Sequence, residues 1–212
     1  MKRGVNLGCG RIIMPTMQPI HHYLLPGSLY TDREIQWDNV DQHAMPGATV
    51  TADLFRYPWP LESDTYDVAL ATHLVEHIPH AVLRDGQLEK LTGGWWAWWE
   101  ELGRVLKPGG IVYVIVPYAG SRSAICDPTH TRYIMPQTFG YFRRNPASPF
   151  DYQLKYEWAV MYGPVISFTG MIVERAEAEA VPKDIRDDWF LQQNAHHVDV
   201  VEDFGIGLQV EK

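Results

Sequence analysis

Five short apolar runs, at residues 4–7, 37–40, 49–52, 66–71 and 110–116, alternate with polar, turn-rich or helix-prone segments over the first half of the chain. Strands that run in the same direction cannot be joined by a tight turn and need a crossover, usually a helix. The pattern therefore specifies an α/β architecture built on a parallel sheet rather than a stack of hairpins. Beyond residue 118 the alternation loosens. Short helix is expected at 136–143, strand at 158–162, 166–173 and 198–210, and an acidic helix-prone stretch at 174–180. No linker, repeat or low-complexity tract divides the 212 residues, which are read as a single domain, 1–212.

The clearest helical signal is also the oddest in composition. Trp95-Trp96-Ala97-Trp98-Trp99 is followed by Glu100-Glu101-Leu102-Gly103-Arg104-Val105-Leu106. At helical spacing Trp95, Trp98, Trp99, Leu102, Val105 and Leu106 form one broad apolar stripe. Such a stripe belongs against the sheet, while Trp96 falls off it and faces elsewhere.

Immediately after the first run stands Asn6-Leu7-Gly8-Cys9-Gly10. Glycines at 8 and 10 permit a sharp turn and let a ligand lie against bare backbone. The spacing is wrong for a dinucleotide fingerprint, which wants a third glycine at position 13, where Ile13 stands. No Gly-Lys-Ser/Thr sequence follows, so a nucleoside-triphosphate loop is excluded too. The next segment, 11–32, carries Pro15, Pro19, Pro26 and Gly27 and is too broken for a regular helix. Its Met14, Met17, His21, His22 and Tyr23 suit a surface excursion or a loop over a ligand.

Charge limits the partners. Lys and Arg number 18 against 26 Asp and Glu, a formal net charge of −8. That balance offers no electrostatic footprint for wrapping a nucleic acid. Arg143-Arg144 is the one basic doublet of note, read as a solvated helix end. The two cysteines, Cys9 and Cys126, stand in no metal-finger or redox spacing and are read as free thiols of a reducing compartment. The longest apolar run falls far short of the roughly 20 residues a membrane helix needs. A soluble, cytoplasmic protein is the expectation.

Two histidines and a carboxylate follow the fourth run: His73-Leu74-Val75-Glu76-His77. A helix starting there would put 73, 76 and 77 on one face, because residues three and four apart are neighbours. A further histidine lies in Asp127-Pro128-Thr129-His130-Thr131-Arg132-Tyr133, after the fifth run. In an open α/β sheet the loops after both strands sit at the carboxyl edge, over the ligand crevice. His130 is thus within reach of His73, Glu76 and His77.

The order of these features resembles the class I S-adenosylmethionine (SAM)-dependent methyltransferases, in particular the broad type 11 small-molecule group. The features are the Gly-Cys-Gly loop, a second strand ending in Val40-Asp41, Ala52-Asp53-Leu54, the histidine segment, and Arg104-Val105-Leu106-Lys107-Pro108-Gly109-Gly110 entering the fifth strand. The likeness runs from residue 4 to about 142. It implies a Rossmann-like seven-stranded sheet flanked by helices, with the last strand antiparallel. It also implies that Gly8 and Gly10 pass beneath the methionine part of the cofactor, with Asn6 and Cys9 of the same loop beside it. Asp41 would accept from both ribose hydroxyls, Asp53 from the adenine amino group, and Leu54 would cover an adenine face. Thr72 and His73 would flank the sulfonium. The departure from the family is segment 11–32, where a helix usually follows the glycine loop directly.

His73, Glu76, His77 and His130 also resemble, in position, the Glu-x-x-Glu-His plus downstream His of small-RNA 3′-terminal 2′-O-methyltransferases, which hold a divalent metal there. His73 takes the place of that motif's first Glu. Three imidazoles and one carboxylate would suit zinc or a transition metal better than magnesium. Without a metal the same histidines, His73, His77 and His130, are candidates for catalytic proton transfer or for holding the acceptor. The expected activity is methyl transfer to an oxygen or nitrogen of a small molecule or glycan. The alternatives are a metal-dependent methyltransferase of RNA 3′ ends, which the acidic charge disfavours, and a SAM-binding protein without turnover.

Overall fold

The computed structural model describes residues 1–11, 13–14, 35–79, 82–84, 87–89, 93–143, 155–168 and 201–212. Most of the broken segment 11–32, the loop at 145–149 and the helix-prone stretch 174–180 lie outside the described residues.

Strands β1 (Lys2–Leu7), β2 (Ile35–Asp41), β3 (Val50–Thr51), β4 (Tyr66–Thr72), β7 (Leu106–Pro117), β8 (Glu157–Phe168) and β9 (Val201–Glu211) form one seven-stranded sheet in the order β3-β2-β1-β4-β7-β9-β8. β1 is parallel to β2 and β4, and β4 to β7, whereas β9 runs antiparallel to both β7 and β8. The seven strands and the antiparallel last strand are those the sequence predicts. A two-stranded hairpin, β5 (Val82–Arg84) with β6 (Gln87–Glu89), follows β4 and was not foreseen. The strand run expected at 158–162 and the described part, 166–168, of the run expected at 166–173 belong to one strand, β8, with register shifts around its middle; 169–173 lie outside the described residues. Pro164, which has no N–H to give to a ladder, stands in that irregular stretch.

Side-chain alternation decides which face is which. Val5, Leu7, Ala69, Ala71, Val112, Val114 and Val116 are buried on one face, in the same cluster as Trp95, Trp98, Trp99, Leu102 and Val105 of helix α1 (Gly93–Val105). Ile35, Trp37, Val68, Leu70, Ile111, Tyr113 and Ile115 form a second cluster on the other face. The stripe predicted for α1 is the buried one, and Trp96 is only half-buried. Trp99 makes ring contacts with Trp95, Trp98, Phe139, Phe142 and Trp158, at centroid distances between 4.7 and 5.9 Å. Truncating a ring so enclosed costs about 3–5 kcal/mol in a typical core.

The Arg104–Gly110 stretch builds the entry to β7. Arg104 donates to both oxygens of Glu101, to the carbonyl of Trp59 and to the hydroxyl of Ser63, tying α1 to the turn before β4. Gly109 has φ +75°, and the ladder with β4 jumps from the Tyr66–Leu106 pair to Val68–Ile111 around it. A glycine is required there because an L side chain rarely adopts that conformation.

Candidate active site at the carboxyl edge

The turn after β1 opens the site. Gly8 and Gly10 both have positive φ, +64° and +49°. A Cβ on Gly8 would come within 2.8 Å of the Leu74 side chain, so the loop keeps its backbone bare where the turn after β4 packs against it. Asp41, at the end of β2, holds this loop in shape. One of its carboxylate oxygens accepts from the Gly10 N–H at 2.9 Å and the other from the His43 N–H at 2.9 Å. Each oxygen retains a second lone pair. Cys9 is buried, and its thiol pKa is pushed up, first by burial and then by the Asp41 charge, which keeps it protonated and unsuited to nucleophilic attack.

After β3, Asp53 accepts from the Phe55 N–H at 2.9 Å and approaches Arg56 Nε at 3.2 Å, closing an Asx turn rather than capping a regular helix. Leu54 is buried and its carbonyl takes the indole N–H of Trp59 at 3.1 Å. Gly8, Asp41, Gln42, Ala52, Asp53, Leu54, Phe55, Leu74, His77 and Thr129 together line a cavity of about 390 Å³. Four residues expected at the cofactor, Gly8, Asp41, Asp53 and Leu54, are on that wall. Asn6, Cys9, Gly10, Thr72 and His73 are not among its lining residues. Asn6 turns to the other side of the sheet, where its amide nitrogen donates to Asn39 Oδ1 at 3.0 Å.

The histidine segment differs from the helix the spacing suggests. His73 N still bonds back to Ile115 O at 2.8 Å, as an extension of the β4–β7 ladder, and its φ is +49°. Only Val75–His77 is helical, as a single 3-10 turn. His73 consequently stands apart: its ring is about half exposed, with Nδ1 3.5 Å from Glu76 Oε1 and Nε2 4.0 Å from Asp203 Oδ2 on β9. Glu76, His77 and His130 do converge, with one ligand atom from each lying within 4.8 Å of the others. The expected set of four is thus a set of three, with His73 beside it.

Two orienting hydrogen bonds fix the rings. His130 Nδ1 lies 2.9 Å from the carbonyl of Ala124, in the short helix α2 (Arg122–Cys126), and a carbonyl can only accept. His77 Nδ1 lies 3.3 Å from the Thr129 carbonyl and 3.1 Å from its hydroxyl. That hydroxyl gives its own proton to Asp127 Oδ1 at 2.6 Å, so toward His77 it accepts as well. Both histidines therefore carry their proton on Nδ1 and present a lone pair at Nε2. The rings meet edge to face with centroids 4.7 Å apart. Hydrogen bonds from the hydroxyl and the N–H of Thr129 hold Asp127 below the usual carboxylate range.

Glu76 is 2% exposed, and among the described residues neither carboxylate oxygen has a hydrogen-bond partner. Its carbonyl, by contrast, is well used, accepting from the N–H groups of Thr131 and Arg132. Thr131 also donates to the Ile78 carbonyl at 2.6 Å. The loop after β7 is thereby sewn to the turn after β4. The sequence alone assigns Thr129 no role. Asp203 gave no sequence signal, because only the register of β9 brings it near His73.

No protein-family model and no curated protein matches the sequence. Solved structures do match. A SAM-dependent methyltransferase from Archaeoglobus fulgidus aligns at a TM-score of 0.52 and 15% identity, over 98% of this chain and 86% of that one. A chain of the complex between the Haloferax volcanii Trm112 methyltransferase activator and a methyltransferase aligns at a TM-score of 0.50 and 13% identity, over 100% and 83%. At such identities the likeness is one of fold, and the fold is the Rossmann-like one of the class I SAM-dependent methyltransferases.

Proposed function

We propose that this chain transfers a methyl group from SAM to an oxygen or nitrogen of a small-molecule or glycan acceptor. The observation that carries the reading is the continuity of the cavity: one wall is Gly8, Asp41, Asp53 and Leu54, and the other is His77 and Thr129. The residues that suit the cofactor and one of those that suit the acceptor therefore line the same space. SAM fits the first wall on two observations. The backbone at Gly8 is bare, and Asp41 keeps a free lone pair on each oxygen for a pair of ribose hydroxyls. Leu54 offers an apolar surface for the adenine. Transfer from a sulfonium then asks the protein to align the reactants and to remove a proton from the acceptor.

Glu76, His77 and His130 fit a divalent metal. A buried carboxylate without a hydrogen bond and two imidazoles presenting Nε2 make a nitrogen-rich donor set of the kind zinc or a late transition metal takes. A metal held there supplies Lewis acidity toward the acceptor's lone pair. The chain's own contribution is to keep both rings in one tautomer through Ala124 and Thr129, and to hold Glu76 out of water. The same tautomers favour a second reading, since a free Nε2 is also a general base without any metal.

Calorimetry with S-adenosylhomocysteine and tritium transfer from labelled SAM test the proposal. Binding in the micromolar range is expected, weakened by about 1.5–3 kcal/mol in Asp41→Ala, the scale of lost hydrogen bonds to a charged group. Binding of NAD and not of the SAM product would sink the reading. Binding without transfer to any acceptor would reduce the chain to a SAM-binding protein. Elemental analysis separates the two chemistries: about one metal per chain with turnover lost on chelation, or a metal-free active enzyme whose rate falls as pH drops through a histidine pKa.

A further inference from the structure

Arg132 is the charged side chain for which the reactions above have no use. Its guanidinium lies over the Trp95 ring, 4.9 Å from the centroid. Nε and Nη2 are buried and have no hydrogen-bond partner among the described residues. Nη1 is the guanidinium nitrogen that is not among those buried orphans. Burial holds the arginine below its ordinary pKa. Guanidinium N–H groups held out of water are usually paired, because their desolvation costs more than stacking on an indole returns. Among the described residues, stacking on Trp95 is what the Arg132 side chain is given.

The location says what the missing partner belongs to. Arg132 N donates to Glu76 O at 3.2 Å, so its backbone is fastened to the turn that carries Glu76 and His77. Trp95 stands in the first turn of α1, whose dipole adds positive potential at that end. Cation and helix end thus share one sign of charge, and the indole holds the cation in place.

We infer that Arg132, stacked on Trp95, is a subsite for an oxyanion, a carboxylate or phosphate carried by the methyl acceptor. This rests on the reading of the Glu76, His77 and His130 cluster as the acceptor side of the site. A planar guanidinium whose ring stacking fixes its plane meets such a group through its N–H edge without further ordering. The acceptor is thereby narrowed to an anionic molecule, with the methylated oxygen or nitrogen on a neighbouring part of it.

The test titrates inorganic phosphate, and separately acetate, into the full chain stripped of metal with EDTA, so that a bound ion cannot account for the response. The readouts are the Arg132 Nε–Hε resonance and the Trp95 indole resonance in 15N-labelled protein. Saturable movement of the Arg132 signal at millimolar anion is expected, with affinity at least about 10-fold weaker in Arg132→Gln and partly restored in Arg132→Lys. An Arg132 signal unmoved by either anion overturns the subsite, and so does equal binding by Arg132→Gln. The wild-type titration stands alone if a variant fails to fold. S-adenosylhomocysteine calorimetry on the same samples keeps the two readings apart. Its failure would remove the methyltransferase proposal and leave the anion response intact.

Discussion

The two edges of the sheet handle charge in opposite ways. Toward the amino edge, Asp67 and Asp38 are both answered. Asp67 takes Lys2 at 3.0 Å on one oxygen, and Lys107 at 2.8 Å with the Arg3 N–H at 2.9 Å on the other. Asp38 takes Arg3 at 2.6 Å and the Tyr66 hydroxyl at 2.9 Å. At the carboxyl edge Glu76 is buried and Arg132 half-buried, with side-chain atoms that have no hydrogen-bond partner among the described residues, although the two are joined through the backbone of Glu76. Each holds polar side-chain atoms out of water without a hydrogen bond from the described residues. Charges that neutralise one another hold the sheet together, while charges left open await something from outside. In open α/β sheets, ligands bind outside the carboxyl ends of the strands.

The largest test of that contrast is Glu76→Leu. Metal content and turnover should fall together by at least about 100-fold, equivalent to about 2.7 kcal/mol of lost transition-state stabilisation. The stability of the chelated protein should move the other way, rising by about 1–2 kcal/mol, because an unsatisfied buried carboxylate gives way to an apolar side chain. Urea unfolding in EDTA reads the sign. A loss of several kcal/mol there would mean that Glu76 already has a partner in the protein, and the contrast between the edges would collapse.

Asp67→Ala is the counterpart at the amino edge and should destabilise by about 2 kcal/mol, at the low end for so many charged hydrogen bonds. The restraint comes from Lys2 and Lys107, whose side chains are 38% and 39% exposed and screened by solvent. Burial pushes the Asp67 pKa up, but the hydrogen bonds from Lys107, the Arg3 N–H and Lys2 outweigh it, so the folded value lies below the ordinary one. A depressed carboxylate contributes stability that is present above the unfolded pKa, about 4, and is lost as pH falls through the folded value. Wild type should therefore lose more stability than Asp67→Ala between pH 4 and pH 2. Parallel curves would show that Asp67 is not the titrating group.

Next in size is Thr129→Val. His77 would keep the Thr129 carbonyl as an acceptor for Nδ1–H but lose the hydroxyl, and Asp127 would lose the donor that holds it down. Metal affinity should drop by about 10-fold, the lower end for a group that orients a ligand. Asp127→Asn should behave similarly if the hydroxyl's proton direction is what fixes the tautomer. No change in either variant would leave the carbonyl alone responsible.

How much of this the sequence disclosed follows from range. The strands, the glycine loop and the α1 stripe depend on local alternation and helical spacing, and were readable, as was Asp41 at the end of β2. The convergence of His130 on Glu76 and His77 was readable because an open sheet puts both loops at one edge. What failed was conformation within a few residues. His73 is held in the β4–β7 ladder by Ile115 O and takes a left-handed φ, so the helix that would have aligned it with Glu76 never starts at that position. The pairings of Asp203, Asn6 and Arg132 depend on register across strands and on what a side chain meets there, which no local pattern encodes.

The smallest predicted effect guards against reading short distances as strong bonds. Arg143 Nη2 stands 2.7 Å from Glu211 Oε1, closer than either lysine stands to Asp67. Both side chains are largely in water, 59% and 46% exposed, so separating them exchanges one set of solvated charges for another. Exposed pairs typically contribute about 0–1 kcal/mol and weaken with salt. Arg143→Ala should thus shift stability by less than about 0.5 kcal/mol, and by nothing measurable in 1 M salt, whereas Asp67→Ala should keep most of its effect there. If the two variants cost the same, burial is not what separates the charges that hold the sheet from those that merely meet on its surface. The unanswered atoms of Glu76 and Arg132 would then lose their meaning as well, because their significance rests on the same premise.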